Sequence, residues 1–232
     1  MKKILILIVS LVVVSACVRT PRPIRFSILG DSYSAYKDNV YPDSNIVFQY
    51  DEIGVTGVEQ MWWWQVADSI GWQLDKNNSF SGSMISNAPY YFEQNSFIRR
   101  MDNLGNPDVI FILGGTNDVR HGVPFGDYVY SDWTDEQLRT FRPALAYLFD
   151  NLKQLYPKAK LYFILETNPW PGETDAEARL DLMQSVHRIA YHYRVDCIEL
   201  YDLPTIAMHP TVQGQKCIAN QVIDYIVTAS ER

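Results

Sequence analysis

The chain is expected to fold as an α/β protein, a three-layer α/β/α sandwich around a five-stranded parallel sheet. Three observations carry this. Short apolar runs, such as Phe26–Leu29, Asp108–Leu113, Lys160–Glu166 and Val195–Tyr201, alternate with longer segments of helical periodicity. That alternation marks parallel strands joined by crossover helices. Small and polar residues gather just after these runs, where an open α/β sheet places its ligands. The 232 residues, 47% of them hydrophobic, suffice for one domain with a large apolar core.

The N-terminus is read as separate from the fold. Met1-Lys2-Lys3 is basic, Ile4 to Val14 is apolar apart from Ser10, and Val14-Ser15-Ala16-Cys17 follows. This is a signal-peptide pattern, and its apolar stretch is too short for an ordinary membrane span. Val14–Cys17 resembles a bacterial lipoprotein cleavage box. The resemblance implies a signal peptide over 1–16, cleavage before Cys17, lipid on the Cys17 sulfur and a tether over 17–24. It implies an exported, membrane-anchored protein of the cell envelope. The folded domain is then 25–232.

Within that domain the first strand, Phe26–Leu29, runs into Gly30-Asp31-Ser32. All three are turn formers, so the triplet alone reads as an ordinary strand exit. A long aromatic connection, Tyr33 to Gly57, comes next; connections of this length in compact domains are commonly functional. Val58 to Leu74 reads as a helix. Its Trp62-Trp63-Trp64 cannot share one face, so two should be core and one should turn outward. Asn78 to Ser83 reads as a weak second strand. Phe97 to Leu104 is a short helix closed by Gly105, and Asp108–Leu113 is the clearest strand, ending in Gly114-Gly115-Thr116-Asn117-Asp118. A second aromatic loop spans His121 to Trp133. Thr134 and Gln137 form a capping-box pattern, and Pro143 should break or restart the helix that runs on to Tyr156. Lys160–Glu166 is a fourth strand, with the rigid turn Asn168-Pro169-Trp170-Pro171-Gly172 at its end. A helix capped by Thr174 and Glu177 reaches Tyr193, Val195–Tyr201 is the fifth strand, and Thr211 to Ala229 is the last helix. Five strands and about five helices in this order fit a flavodoxin-like sandwich.

The composition excludes some functions. A net charge of −7, with no basic run in the body of the chain, argues against nucleic acid. Cys197 and Cys217 read as buried thiols, although an exported protein could pair them. No Cys/His spacing suits a metal. His187 and His192, five apart in one helix, do not match the metal-binding spacing either.

Four polar features stand at strand ends: Ser32, Gly82, Asn117 and His209. Acyl transfer needs a nucleophile, a base and donors for an oxyanion. Gly30-Asp31-Ser32, Gly82, Gly115-Thr116-Asn117-Asp118 and His209-Pro210 resemble, in order and spacing, the blocks of the SGNH or GDSL-type hydrolases. The resemblance implies Ser32 as nucleophile and His209 as base. It implies an oxyanion hole from Ser32 N–H, Gly82 N–H and the Asn117 amide, and ester hydrolysis through an acyl-enzyme with no metal or cofactor. Asp31 would brace the turn.

Two positions depart from that pattern. Tyr33 replaces a usual Leu. Ile206 stands three residues before His209, where the family has its acid. Asp202 could supply that carboxylate, Glu199 less readily, or a main-chain carbonyl could orient the imidazole in a Ser-His dyad. The expected substrate is a small-molecule or glycan ester, with an acetylated carbohydrate favoured by the aromatic loops. Tyr33, His121 and Trp170 are the candidate substrate contacts. Two other readings are a catalytically weak glycan-binding protein of the same fold, and a lysophospholipase or thioesterase with a long acyl slot.

Overall fold

The computed structural model describes residues 22–90, 92–167 and 176–230. The expected signal peptide, Cys17, most of the tether and the Asn168–Gly172 turn with Trp170 lie outside these residues. Five parallel strands form the sheet: β1 (Arg25–Gly30), β2 (Gln73–Ser79), β3 (Val109–Leu113), β4 (Lys160–Glu166) and β5 (Asp196–Leu200). Their order is β2-β1-β3-β4-β5. The chain therefore moves outward from β1 in one direction to β2 and in the other to β3, β4 and β5. The crevice between β1 and β3 is a topological switch point, where such sheets bind ligands.

Alternation along the strands builds a core on each face. Ile110 and Ile112 of β3 point to one side with Leu29, Phe163 and Leu165. That side is covered by α2 (Phe97–Arg100), α4 (Phe141–Leu155) and α5 (Ala176–Tyr193). Val109, Phe111 and Leu113 point to the other side with Ile28 and Ile164. There α1 (Trp62–Ile70) and α6 (Val212–Ser230) close the third layer. Because β1, β3 and β4 are buried on both faces, they read as continuous apolar runs.

The largest departure from expectation is the second strand. It spans Gln73–Ser79, not Asn78–Ser83, and the preceding helix stops at Ile70. Gly71 takes a left-handed φ of +69° and ends the helix. The strand itself, Gln-Leu-Asp-Lys-Asn-Asn-Ser, lies at the sheet edge and is half-exposed at its start, so it carries little apolar pattern. The other strands and the longer helices fall near their expected places, but the helix expected over Phe97 to Leu104 stops at Arg100, well before Gly105, and Thr174 lies outside the described residues. Trp62 and Trp63 are buried while Trp64 is exposed. Thr134 N donates to Gln137 Oε1 (2.9 Å) and Gln137 N to Thr134 Oγ1 (3.3 Å), the reciprocal bonds of a capping box. They close only a single turn, after which α4 starts at Phe141 with Pro143 in its first turn, where a missing N–H costs least. Among the described residues, no helix is long and apolar enough to cross a membrane.

A small antiparallel hairpin, β6 (Thr205–Ile206) and β7 (His209–Pro210), stands between β5 and α6. Its two turn residues, Ala207 and Met208, have φ of +47° and +65°. A two-residue turn with both φ positive matches the twist of its strands, as in type I′ hairpins. For non-glycine residues this conformation costs roughly 1–2 kcal/mol each.

Candidate active site

Ser32, Tyr33, Thr116, Asn117, Arg120, Met208 and His209 line one small cleft of about 20 Å³ at the carboxyl edge of β1 and β3. The fold thus brings together Ser32, Asn117 and His209, which lie far apart in the chain.

The Ser32 turn is held on every side. Asp31 Oδ1 accepts from Tyr33 N (3.0 Å), and Asp31 O accepts from Ser34 N and Ala35 N. Trp62 Nε1 donates to Ser34 Oγ (3.1 Å), and Trp63 Nε1 to Ser34 O (3.0 Å). The two buried tryptophans therefore brace the turn as well as filling the core. Tyr50 OH donates to Ser32 O at 2.9 Å. These bonds let Asp31 brace the turn. Burial pushes its carboxyl up to about 7, while the Tyr33 N–H and the Thr116 hydroxyl pull the other way.

Arg100, which the sequence did not single out, ties two strand ends together. Its fully buried guanidinium donates to Gly30 O (3.1 Å), Ser83 Oγ (3.0 Å), Asn78 Oδ1 (3.0 Å), Asn95 O (2.7 Å) and Asn78 O. Burial lowers its pKa to about 9, so it stays charged at neutral pH. Asp118 performs the same task between the loop after β2 and α3 (Thr116–Arg120). It accepts from Ile85 N (2.8 Å), Ser86 N (3.1 Å) and Ser86 Oγ (2.7 Å), and burial raises its pKa.

Gly82 sits in the turn after β2 with φ +79°, a conformation that L side chains rarely adopt. The next residue, Ser83, accepts a bond at its carbonyl from Asn117 Nδ2 (3.0 Å). One amide N–H of Asn117 is thereby fixed. The amide nitrogen otherwise makes a 3.4 Å contact to Asp31 Oδ2. Gly115, with φ +101°, turns the chain from β3 into α3 and sets Asn117 on the cleft wall.

His209 is placed by the hairpin. Ala207 O lies 2.8 Å from His209 Nδ1. A carbonyl only accepts, so Nδ1 is the protonated nitrogen and Nε2 is left as an acceptor. The ring stacks on Phe48 (3.5 Å between centroids, 8° between planes), and Tyr50 meets it edge-on at 6.2 Å. Tyr33 OH donates to Met208 O (2.7 Å) and pins the hairpin to the nucleophile turn. Burial lowers the His209 pKa below its ordinary 6.5, Arg120 lowers it further, and the Ala207 carbonyl partly opposes both.

A main-chain carbonyl, Ala207 O, takes the place on the ring where Asp202 was expected as orienting acid. Asp202 is exposed where the chain leaves β5, with φ +54°. Glu199 is also engaged elsewhere, with His187 Nε2 (2.9 Å) and with the Tyr201 hydroxyl. Replacing Asp202 with Asn is expected to leave kcat on any ester turned over within about twofold of wild type. Loss of a true triad acid costs about 10⁴ in a protease precedent, so the assay separates the two cases.

The aromatic loops are used mainly for packing. Tyr33, Tyr36 and Tyr50 are buried in one core, and Phe125, Tyr128, Tyr130 and Trp133 pack against the other. Tyr33 lines the cleft, whereas His121 stacks on Tyr90 (4.0 Å) beside it. Among the described residues, no group of His, Cys, Asp or Glu is placed to hold a metal ion. Cys197 and Cys217 are free thiols.

Fold and site together define a hydrolase acting on esters. The chain belongs to the GDSL-like lipase/acylhydrolase family, whose sequence profile matches residues 24–226. Two solved structures are similar over nearly their whole length. A GDSL-like lipase candidate from Bacteroides ovatus shares 39% identity, with 90% of this chain and 100% of that one covered and a TM-score of 0.81. One from Bacteroides uniformis shares 38% identity, with 89% and 96% covered and a TM-score of 0.80. A family two carbohydrate esterase from Clostridium thermocellum, solved with cellohexaose, shares the fold at 15% identity, with 91% and 66% covered and a TM-score of 0.59. No curated protein matches the sequence.

Proposed function

We propose that this protein is an exported, lipid-anchored serine esterase that removes short acyl groups, acetyl above all, from carbohydrate. The observation that carries the acyl size is the cleft beside Ser32 and His209, about 20 Å³. The narrowness of the cleft beside these residues supports a short acyl group over a fatty chain. The Asn117, Gly82 and Ser32 donors, the His209 base and the Ser32 nucleophile keep the roles that the family resemblance gives them.

In this reading Ser32 Oγ attacks the acyl carbon while His209 Nε2 takes its proton. The oxyanion forms against the Ser32 and Gly82 N–H groups and the second Asn117 amide N–H. The intermediate collapses as His209 gives the proton to the leaving alcohol oxygen, which leaves an acyl-Ser32. Water, deprotonated by His209, attacks that ester and releases the carboxylic acid, and the proton returns to Ser32. Ala207 O holds the imidazole in the required tautomer, but as a neutral group it stabilises the imidazolium less than a carboxylate would. That difference favours a modest turnover number, and it is the one observation that keeps a glycan-binding role in view. The carbohydrate alcohol is supported by the half-buried Tyr90–His121 ring pair next to Arg120 and by the fold shared with the Clostridium thermocellum esterase. Export and anchoring rest on residues 1–17.

The test is turnover of p-nitrophenyl esters and of an acetylated xylo-oligosaccharide by protein lacking residues 1–17. Acetate is expected to exceed octanoate by about 100-fold in kcat/KM, the scale on which a tight pocket discriminates. Faster octanoate hydrolysis would establish the lysophospholipase reading. Glycan binding with no turnover of any ester would establish the binding protein. Metabolic labelling with radioactive palmitate should mark the full chain and not its Cys17→Ser variant.

A further inference from the structure

The cleft has a charged wall that the chemistry above does not use. Arg120 is the last residue of α3, three positions after Asn117, and it lines the same cleft as Ser32 and His209. Residues three apart on a helix share a face, so the helix that presents the Asn117 amide presents the guanidinium beside it. Among the described residues, this exposed guanidinium has no hydrogen-bond, ion-pair or ring partner. Several other arginines are committed: Arg22 to Asp108, Arg25 to Asp75, Arg142 to Asp181 and Ser185, and Arg100 to its buried carbonyls. Arg99, Arg139 and Arg194 are also exposed, but they do not line the cleft.

The nearby carboxylates cannot neutralise Arg120 from within the cleft. Asp31 and Asp118 are fully buried and already satisfied, by Tyr33 N and Thr116 in one case and by Ile85 and Ser86 in the other. Among the described residues, then, Arg120 is a cation without a counter-ion on the wall of the cleft that holds Ser32 and His209, in a protein whose net charge is −7.

We infer that Arg120 selects an anionic substrate, an ester whose alcohol half carries a carboxylate close to the scissile oxygen. This is the chemistry of an acylated uronic or hydroxy acid. The inference rests on the esterase reading and sharpens it. The planar fork of an arginine matches a carboxylate in two parallel bonds. The charge is placed on the alcohol half because Arg120 is exposed at the rim of the cleft, on the side from which the leaving group departs. Once seated, the carboxylate would fix the alcohol oxygen toward His209, so the interaction would act on orientation as well as affinity.

The experiment compares 3-acetoxybenzoate with 3-acetoxybenzamide, which differ by the charge and little else, on protein lacking residues 1–17. Wild type is expected to prefer the carboxylate by about tenfold in kcat/KM, on the scale of one charge-assisted bond. The preference should shrink as salt is raised. Arg120→Gln should remove it, and Arg120→Lys should restore part of it. Equal losses on both esters in Arg120→Gln would overturn the inference.

A second measurement separates this from failure of the esterase reading. Ser32→Ala protein is titrated with the products 3-hydroxybenzoate and 3-hydroxybenzamide. Tighter binding of the carboxylate, lost when Arg120→Gln is added, supports the inference even if wild type turns over neither ester. Indifferent binding overturns it. A lack of turnover alone bears on Ser32 and His209.

Discussion

Replacing Ser32 with Ala is expected to lower kcat on p-nitrophenyl acetate by about 10³- to 10⁶-fold, the range seen when a serine nucleophile is removed from an otherwise intact site. The fold should survive the change. Ser32 enters the architecture through its main chain, with its carbonyl bonded to Tyr50 OH (2.9 Å), and the Asp31 bonds that shape the turn do not involve its hydroxyl. Circular dichroism and thermal melting should therefore match wild type, which makes the loss a statement about chemistry. A rate unchanged in Ser32→Ala would show that another group attacks the ester.

The pH dependence of the wild-type rate tests the partner of Ser32. His209 must be neutral to accept the proton. Burial holds its pKa below the ordinary 6.5 against the opposing pull of the Ala207 carbonyl, and the Arg120 charge adds a smaller lowering. The rate should rise with pH along an acid limb whose midpoint lies below 6.5, earlier than an unperturbed histidine would give. Arg120→Gln removes one of the lowering causes, so its limb should move to higher pH. A limb above 6.5 in wild type would mean that a carboxylate reaches the ring. It would revive Asp202.

Gln215→Leu is expected to destabilise the protein by about 3 kcal/mol, read as a fall in Tm of roughly 6–12 °C for a domain of this size. Gln215 is fully buried on α6, the helix that follows the His209 hairpin. Its Oε1 accepts from Trp62 N (2.9 Å), and its Nε2 donates to Tyr50 OH (3.2 Å) and contacts Tyr33 O (3.4 Å). Leucine has similar volume but removes the bonds that Gln215 makes to Trp62 N, Tyr50 OH and Tyr33 O, and a buried group orphaned in this way costs about 1–3 kcal/mol. The same amide links the helix behind His209 to the tyrosine that holds Ser32. Activity measured well below the melting temperature should therefore fall in kcat more than in KM. A melting temperature within about 2 °C of wild type would show that the surrounding side chains rearrange to satisfy those groups.

The parts of this protein that were legible in its sequence are those written in local pattern. Phe26–Leu29, Asp108–Leu113 and Lys160–Glu166 announce buried strands because both sides of each are apolar, and the polar residues that follow them mark the functional edge. The order of Ser32, Gly82, Asn117 and His209 belongs to the same class of information. β2 escaped because an edge strand buries too little to need an apolar pattern, and because the helix before it ends on a single left-handed glycine.

What only the tertiary structure decided is how those residues are held. A hairpin formed by Ile206-Ala207-Met208-His209 carries none of the Asn-Gly chemistry that would signal it. Yet its positive-φ turn aims a main-chain carbonyl at the imidazole, in the place where Asp202 was expected. Arg100, Gln215 and Arg120 carry no motif at all. Their meaning comes from partners as far as 182 residues away in the chain, as with Gln215 and Tyr33, or, for Arg120, from its place in the Ser32 cleft with no side-chain partner among the described residues. Sequence pattern records which side chains must leave water. The bonds that orient a buried polar group, and the charge left over at the mouth of a cleft, exist only once distant segments have been brought together.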